Sequence, residues 1–467
     1  MPPIFDPLRA GAVALDVLAA AGDTPARLAA RQASRLAALL AHARQASPLM
    51  REQLAGIDPT RTPLTALPVN RRDALMAQFD RWVTDPALRL ADLRAFIADP
   101  TRIAEPWLGR YQVWESSGSS GQPGVFVQDA ATLAVYDALE ALRRCEPQAW
   151  RRWLDPAQAG ERLVFLGATG GHFASLVSLL RLQSLLRLQS LQPWRGGALA
   201  CVSILQPTAA LVAELNTLRP SQLATYPTAA ALLADEAAAG RLRIRPRCVW
   251  TGGETLSAAQ RAHITQQLGC PVRDSYGASE FLPIAWECAH GALHVNADWV
   301  ILEAVDEAHR PVPPGTPSAT TLLTHLANRV QPLIRYELGD RITLAPGRCA
   351  CGSPLPVVQV QGRHDDRLRM AGADGRPVSL LPLALSTVLE EEAGLYDFSL
   401  AQRDRHTLVL QLPLPASEAA APLARGCQVL TAFALRQGVD RPRVLGEAGV
   451  PAAHGRSGKA RRITALA

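Results

Sequence analysis

Short apolar runs alternate with stretches of helical spacing from Arg162 to Leu268, and this rhythm constrains the fold more than any other feature of the chain. Arg162-Leu-Val-Phe-Leu-Gly-Ala-Thr-Gly-Gly171 reads as a buried strand ending in a tight turn. Ala198–Leu205, Leu223–Tyr226 and Cys248–Thr251 read as further strands, with helices near Ala209–Leu218, Ala229–Ala239 and Ala258–Leu268. A chain alternating these two periods buries its strands in a sheet and lays helices against it. The result is an α/β domain with ligand loops at the strand ends.

On either side the pattern changes. Residues 8–55 have helical spacing, with Leu36, Leu39, Leu40 and Ala43 on one face; residues 57–110 hold prolines and short helical pieces; residues 130–155 read as a helix. The duplicated Arg-Leu-Gln-Ser-Leu of residues 181–191 is too short for a solenoid and reads as one helix. From Leu293 to Val360 the pattern turns toward β, and beyond Gly362 a small α/β piece follows, helical over Leu380–Glu392 and a strand over Thr407–Leu412. At 467 residues the chain is long for one core. The predicted organisation is a large α/β N-terminal domain of several subdomains, residues 1–362, and a small mobile α/β C-terminal domain, residues 363–467.

Charge and composition exclude several classes. The formal charge of +6 suits small anionic substrates such as nucleotides and lacks the clustered basic stripes of a nucleic-acid binder. The densest basic cluster, Arg241–Arg247, alternates with apolar residues and reads as an element entering a sheet. No basic start followed by an apolar run opens the chain, and no apolar stretch reaches the roughly 18 residues of a membrane span, so the expected compartment is the cytoplasm. Eight cysteines in a chain this long do not make a disulfide scaffold.

Several strand-end segments carry chemistry. In Ser116-Ser-Gly-Ser-Ser-Gly-Gln-Pro-Gly124, small residues let backbone N–H groups converge on a phosphate while hydroxyls add donors. Thr251-Gly-Gly-Glu254 and Asp274-Ser-Tyr-Gly-Ala-Ser-Glu280 follow apparent strands; Tyr276 can stack on a base and Glu280 can hold Mg2+ among phosphates. Arg335-Tyr-Glu-Leu-Gly-Asp340 puts a carboxylate in a tight turn, suited to two ribose hydroxyls, and Gly362-Arg-His-Asp-Asp366 sits at the boundary. Of the 48 Lys and Arg residues the sole lysine is Lys459, in Gly455-Arg-Ser-Gly-Lys-Ala-Arg-Arg462. A compact ammonium on a flexible stem does what a planar guanidinium cannot, so a lysine kept against an arginine bias fits a charge inserted beside a reacting phosphate or carboxylate.

In this order the segments resemble the adenylate-forming ligases, the superfamily of acyl- and aryl-CoA synthetases, and most closely the phenylacetate–CoA ligase branch. The opening segments, Gln32–Leu54 and Pro68-Val-Asn-Arg-Arg-Asp-Ala-Leu-Met76, extend the resemblance over nearly the whole chain. It implies a large adenylation domain that binds ATP and a carboxylic acid, forms an acyl-adenylate, and passes the acyl group to a thiol after the small domain rotates. It places Ser116, Ser117, Gly118, Ser119, Ser120 and Gly121 on the phosphates. Gly253, Glu254, Ser275, Tyr276, Gly277 and Ser279 fall around the nucleotide, and Asp340 on the ribose. Glu280 would bind Mg2+, Arg363 the ribose or phosphate side, Asp365 would be the hinge, and Lys459 would bridge carboxylate and α-phosphate.

Two segments depart from the family pattern. Gln122 and Gly124 stand where the loop usually carries a lysine, which weakens pyrophosphate contacts without abolishing adenylation. Leu368–Val378 departs from the glycine-and-aromatic pattern where CoA passes. The acid is expected at Ala168–Phe173 and Thr225–Thr228, with His172, Phe173, Tyr226, Gly252 and Gly277 around it; an aryl acid is the first expectation from the resemblance. A lone histidine is as readily a structural residue, and that reading of His172 stands beside the other. Cys288, His294, Cys349 and Cys351 can complete a tetrahedral, structural zinc site, with His290 as the substitute for His294. The acceptor is CoA or the phosphopantetheine of a carrier protein. A non-thiol nucleophile, a non-catalytic nucleotide-binding homologue and a homodimer all remain open.

Overall fold

The computed structural model describes residues 4–116, 123–143, 162–189, 199–361, 368–395, 397–450 and 463–465. The chain begins with helices Pro7–Ala21, Pro25–Ala46 and Pro48–Gln53, each started the same way. The side chain of Asp6, Thr24 or Ser47 accepts a first-turn N–H, and the next residue is a proline at the first helical position, where no N–H is needed. Leu39, Leu40 and Ala43 are buried, Leu36 partly.

The expected α/β region forms a nine-stranded sheet with its neighbours. Its parallel part runs Leu199–Ser203, Leu163–Gly167, Gln222–Thr225, Cys248–Gly252, Val272–Tyr276 in spatial order. Four antiparallel strands extend it: Ala285–Glu287, Leu293–Val295, Val357–Gln361 and Arg341–Leu344. Helices Thr208–Leu218, Pro227–Ala238 and Ala258–Leu268 fall where the sequence places them, and the duplicated segment lies in one helix, Ala174–Gln189. The Arg241–Arg247 segment forms no ladder. It is extended, with Leu242, Ile244 and Pro246 buried and the arginines out, and it feeds the strand at Cys248. The helix expected over 130–155 is described as Ala130–Arg143; its remainder lies outside the described residues. Arg143 at its end is clamped by Asp298 through bonds of 2.6 and 2.7 Å, with side chains 5% and 0% exposed.

The small C-terminal domain holds a hairpin, Leu368–Ala371 with Pro377–Leu380, and a four-stranded sheet backed by helices Pro382–Ala393 and Ala416–Arg436. The expected domain boundary at 362/363 lies outside the described residues. Leu381, Leu385 and Phe433 of this domain share one apolar cluster with Leu211 and Leu232 under the parallel sheet. Gln437 Nε2 donates to Leu205 O across the same junction (2.7 Å). Among the described residues no helix is long and apolar enough to cross a membrane.

Candidate functional site

In order of appearance the five parallel strands lie 2-1-3-4-5 across the sheet, so the direction of winding reverses between Leu163–Gly167 and Gln222–Thr225. Loops leaving a reversal point diverge and open a crevice at the carboxyl ends of the strands. Those loops are Ala168–Phe173 and Tyr226–Thr228, with Gly252–Glu254 and Gly277–Glu280 along the same edge.

Gly253 takes φ +78°, and a Cβ there would stand 3.0 Å from Tyr226 Cε1, so glycine is needed for both conformation and space. Glu254 turns toward the helix starting at Pro227, accepting from Thr228 N and from the Thr228 hydroxyl, both at 3.0 Å. A carboxylate at a helix N-terminus is favoured. Gly252 packs on Ser275, whose hydroxyl donates to Thr251 O (2.8 Å); Gly277 passes directly over the Leu282 carbonyl, leaving no room for a side chain.

The next turn brings distant motifs together. The Tyr276 hydroxyl donates to Asp340 Oδ2 (2.8 Å), and the Tyr336 hydroxyl donates to Glu280 Oε1 (2.8 Å). Burial, with the Glu280 carboxylate beside them, pushes both phenols up, so both stay donors. Asp340 follows Gly339 (φ +71°), and its carbonyl accepts from Thr321 Oγ1 (2.7 Å). Trp114 Nε1 donates to Ser279 O (2.8 Å), which ties this turn to the strand leading into the Ser/Gly loop. Ser116 closes the neck of that loop: its hydroxyl accepts from Gly124 N, and its own N donates to Gly124 O, both at 2.9 Å. Ser117, Gly118, Ser119, Ser120, Gly121, Arg363, Asp365 and Lys459 lie outside the described residues.

His172 is fully buried, edge-on to Phe96 (5.0 Å between rings), with Nε2 3.3 Å from Asp99 O; burial lowers its pKa and keeps the ring neutral. Its carbonyl accepts from Glu115 N (2.9 Å), while Phe173 is half-buried beside Gly171. Three acidic groups that motif reading passes over meet here. Glu391, from helix Pro382–Ala393 of the small domain, lies against Gly170 and Gly171. Burial, then the neighbouring glutamates, pushes the carboxyls of both Glu391 and Glu115 up to about 7, with Glu390 adding to each. No local pattern marks these residues, because the proximity is tertiary. Arg72 and Asn70, which reach the site from the N-terminal region, are hidden for the same reason.

Cys288, His294, Cys349 and Cys351 converge with all four donor atoms within 4.8 Å of one another. Tetrahedral zinc with Zn–S of about 2.3 Å and Zn–N of about 2.05 Å requires S···S near 3.8 Å and S···N near 3.5 Å. The Cys288–Cys349 sulfurs are 3.8 Å apart, and Cys351 Sγ is 3.3 Å from His294 Nε2. His294 Nδ1 lies 3.0 Å from Leu355 O; donating its proton there leaves Nε2 as the metal-facing atom. His290 is exposed and outside this set. The donors therefore fit a closed, structural tetrahedral metal.

The architecture is a large multi-subdomain α/β domain with a smaller α/β domain docked on it, a fold shared with solved acyl-CoA ligase structures. The chain superposes on 2-hydroxyisobutyryl-CoA ligase in its thioesterification state, in complex with 2-HIB-AMP and CoA, with a TM-score of 0.57 at 21% identity, covering 95% of this chain and 91% of that one. The same ligase in the postadenylation state gives 0.53 at 20% identity, covering 92% and 88%. Protein CapK of Staphylococcus aureus is 26% identical over 135 residues, 28% of each chain, so the match spans little more than a quarter of that curated relative. No protein-family model matches the sequence.

Proposed function

We propose that this chain is an ATP-dependent ligase that converts a small carboxylic acid, an aryl acid first, into its acyl-adenylate. It then transfers the acyl group to the thiol of CoA or of carrier-protein phosphopantetheine. The observation that carries the reading is the convergence of Tyr276, Asp340, Glu280 and the neck of the Ser/Gly loop along the carboxyl-end edge of the parallel sheet. Tyr276 and Asp340 would frame adenine and ribose, and the serine-rich loop the phosphates. Glu280 would hold magnesium, which would offset phosphate charge. Tyr336 holds that carboxylate in position while remaining protonated itself. The acid would lie in the crevice between Phe173 and Tyr226, its carboxylate attacking the α-phosphorus as pyrophosphate leaves. Lys459 would then neutralise the charge that builds on transfer. The domain boundary at 362/363, with Asp365 as hinge, belongs to this proposal, and the Cys/His cluster would hold structural zinc.

The test is acid-dependent exchange of labelled pyrophosphate into ATP across a panel of aryl and acyl acids. One acid class should support exchange, and Lys459→Ala should reduce it about a hundredfold, roughly 2.7 kcal/mol of barrier. Folded protein that binds ATP yet exchanges with no acid would sink the proposal.

A further inference from the structure

Among the described residues, four of the seven large hydrophobic side chains left exposed sit in one short stretch: Phe5, Leu8, Leu15 and Leu18. Helix Pro7–Ala21 carries three of them, with Leu8 87%, Leu15 70% and Leu18 54% exposed. The other side of this helix is already used: Val17 and Ala20 are buried, and it packs against helix Ala130–Arg143. Leu8, Leu15 and Leu18 fall with Gly11 on a single outer stripe, at spacings of three, four and three residues. The one acidic side chain of the helix, Asp16, turns away to Arg31 and Arg35, so no charge interrupts the stripe.

Gly11 is the informative member. Glycine within a helix is destabilising relative to alanine, because it has more conformational freedom to lose. No described residue requires it: a Cβ built there would meet nothing within 4 Å, and its backbone is helical. A hole kept open on an outer face fits a side chain arriving from another molecule, as a knob enters a hole between packed helices. The spacing says which molecule. Three, four, three reads the same from either end. A second copy turned end for end about a two-fold axis therefore sets Leu8 of one against Leu18 of the other and Leu15 against Gly11, each contact made twice. The helix ends agree with that arrangement. The first turn holds no acidic side chain and the last turn no basic one, and antiparallel pairing puts the positive end of each helix dipole beside the negative end of its mate. An anionic lipid surface asks for several basic residues along the flanks, whereas this helix has Arg9 alone, already beside Asp6.

We propose that the outer face of helix Pro7–Ala21 is a two-fold, antiparallel self-association surface, with Leu15 of each copy seated over Gly11 of the other. This goes beyond the proposed ligase activity and does not depend on it. One helix pair is smaller than the roughly 1,200–2,000 Å² of a standard interface, so the dimer is weak, with a dissociation constant in the micromolar range.

Sedimentation velocity of the full-length chain between about 1 and about 100 µM reads the outcome. Wild type should pass from monomer to dimer over that range. Leu15→Gln removes the knob, and Gly11→Gln fills the hole with a good helix former; each should weaken association about tenfold or more. Both changes lie on an exposed face, so melting temperatures should stay level with wild type or, for Gly11→Gln, rise. That keeps loss of the dimer separate from loss of the fold. Wild type that stays monomeric throughout overturns the inference. So does a dimer that both variants leave intact, since its contact then lies elsewhere. Monomeric wild type that floats with phosphatidylcholine vesicles, a property Leu15→Gln removes, also overturns it and gives the face to a lipid surface.

Discussion

If the Cys288, His294, Cys349 and Cys351 cluster holds zinc as proposed, removing it should loosen the proposed nucleotide site from behind. Cys349 and Cys351 lie in the connection between strands Arg341–Leu344 and Val357–Gln361, and Asp340 immediately precedes the first of these. The second strand joins the rest of the sheet through only two paired positions, Val357 with His294 and Val358 with Leu293. A metal bound at about a hundred times its dissociation constant adds about 2.7 kcal/mol to the folded state. For a domain of the size expected here that amounts to a rise in Tm of roughly 3–4 °C. Cys351→Ser, or a chelator acting on wild type, should lower Tm by that order and raise the KM for ATP, because Asp340 loses its fixed distance to Tyr276. Metal content by plasma mass spectrometry, followed by calorimetry with and without zinc, reads the outcome. A chain purified without chelator that carries no stoichiometric metal and melts at one temperature in both conditions refutes the reasoning.

Asp298→Ala leaves the Arg143 guanidinium buried without its carboxylate and should cost about 3–5 kcal/mol, read as a fall in the urea midpoint; a change within error would mean water replaces the pair. Gly277→Ala drives a methyl onto the Leu282 carbonyl beside Tyr276 and should cost about 1–3 kcal/mol of stability together with nucleotide affinity, measured by melting and titration. The Glu391 contact with Gly170 should depend on pH. Its carboxyl and that of Glu115 sit at about 7 in the docked state, above the ordinary range, so docking takes up protons. Support for the contact is full below the ordinary carboxylate pKa of about 4.3 and is lost as pH rises through about 7. Small-angle scattering between mildly acidic and mildly alkaline pH should show the two domains separating, and Glu391→Gln should flatten the response. A wild-type profile independent of pH would remove the contact from consideration.

Wherever local chemistry decides structure, the sequence was readable. The strand expected at Thr407–Leu412 and the helix at Ala258–Leu268 appear with those bounds, since an apolar run and a Ser257–Gln260 capping box each specify their element without help. The winding order of the sheet is not written in any one run, because every buried strand looks alike in one dimension. Glu254 illustrates the same limit at a single residue: its motif marks a ligand loop, yet its carboxylate serves the first turn of the helix at Pro227. For the metal cluster, the sequence favoured His294 and kept His290 as its substitute. The strand at Leu293–Val295 separates them, burying one and leaving the other in the turn before it.

The attachment of Asn70 to Ile334 spans 264 residues, and Trp82 Nε1 reaches Pro332 O (2.7 Å) across 250. Translation at about 5–20 residues per second delivers the second half of that joint roughly 13–50 s after the first. Throughout that interval Phe79 and Trp82, almost wholly covered in the finished protein, lack the later segment around Pro332 that Trp82 bonds. The nascent chain is therefore most exposed to aggregation while it is still on the ribosome, and a holdase has more to grip then than at any later time.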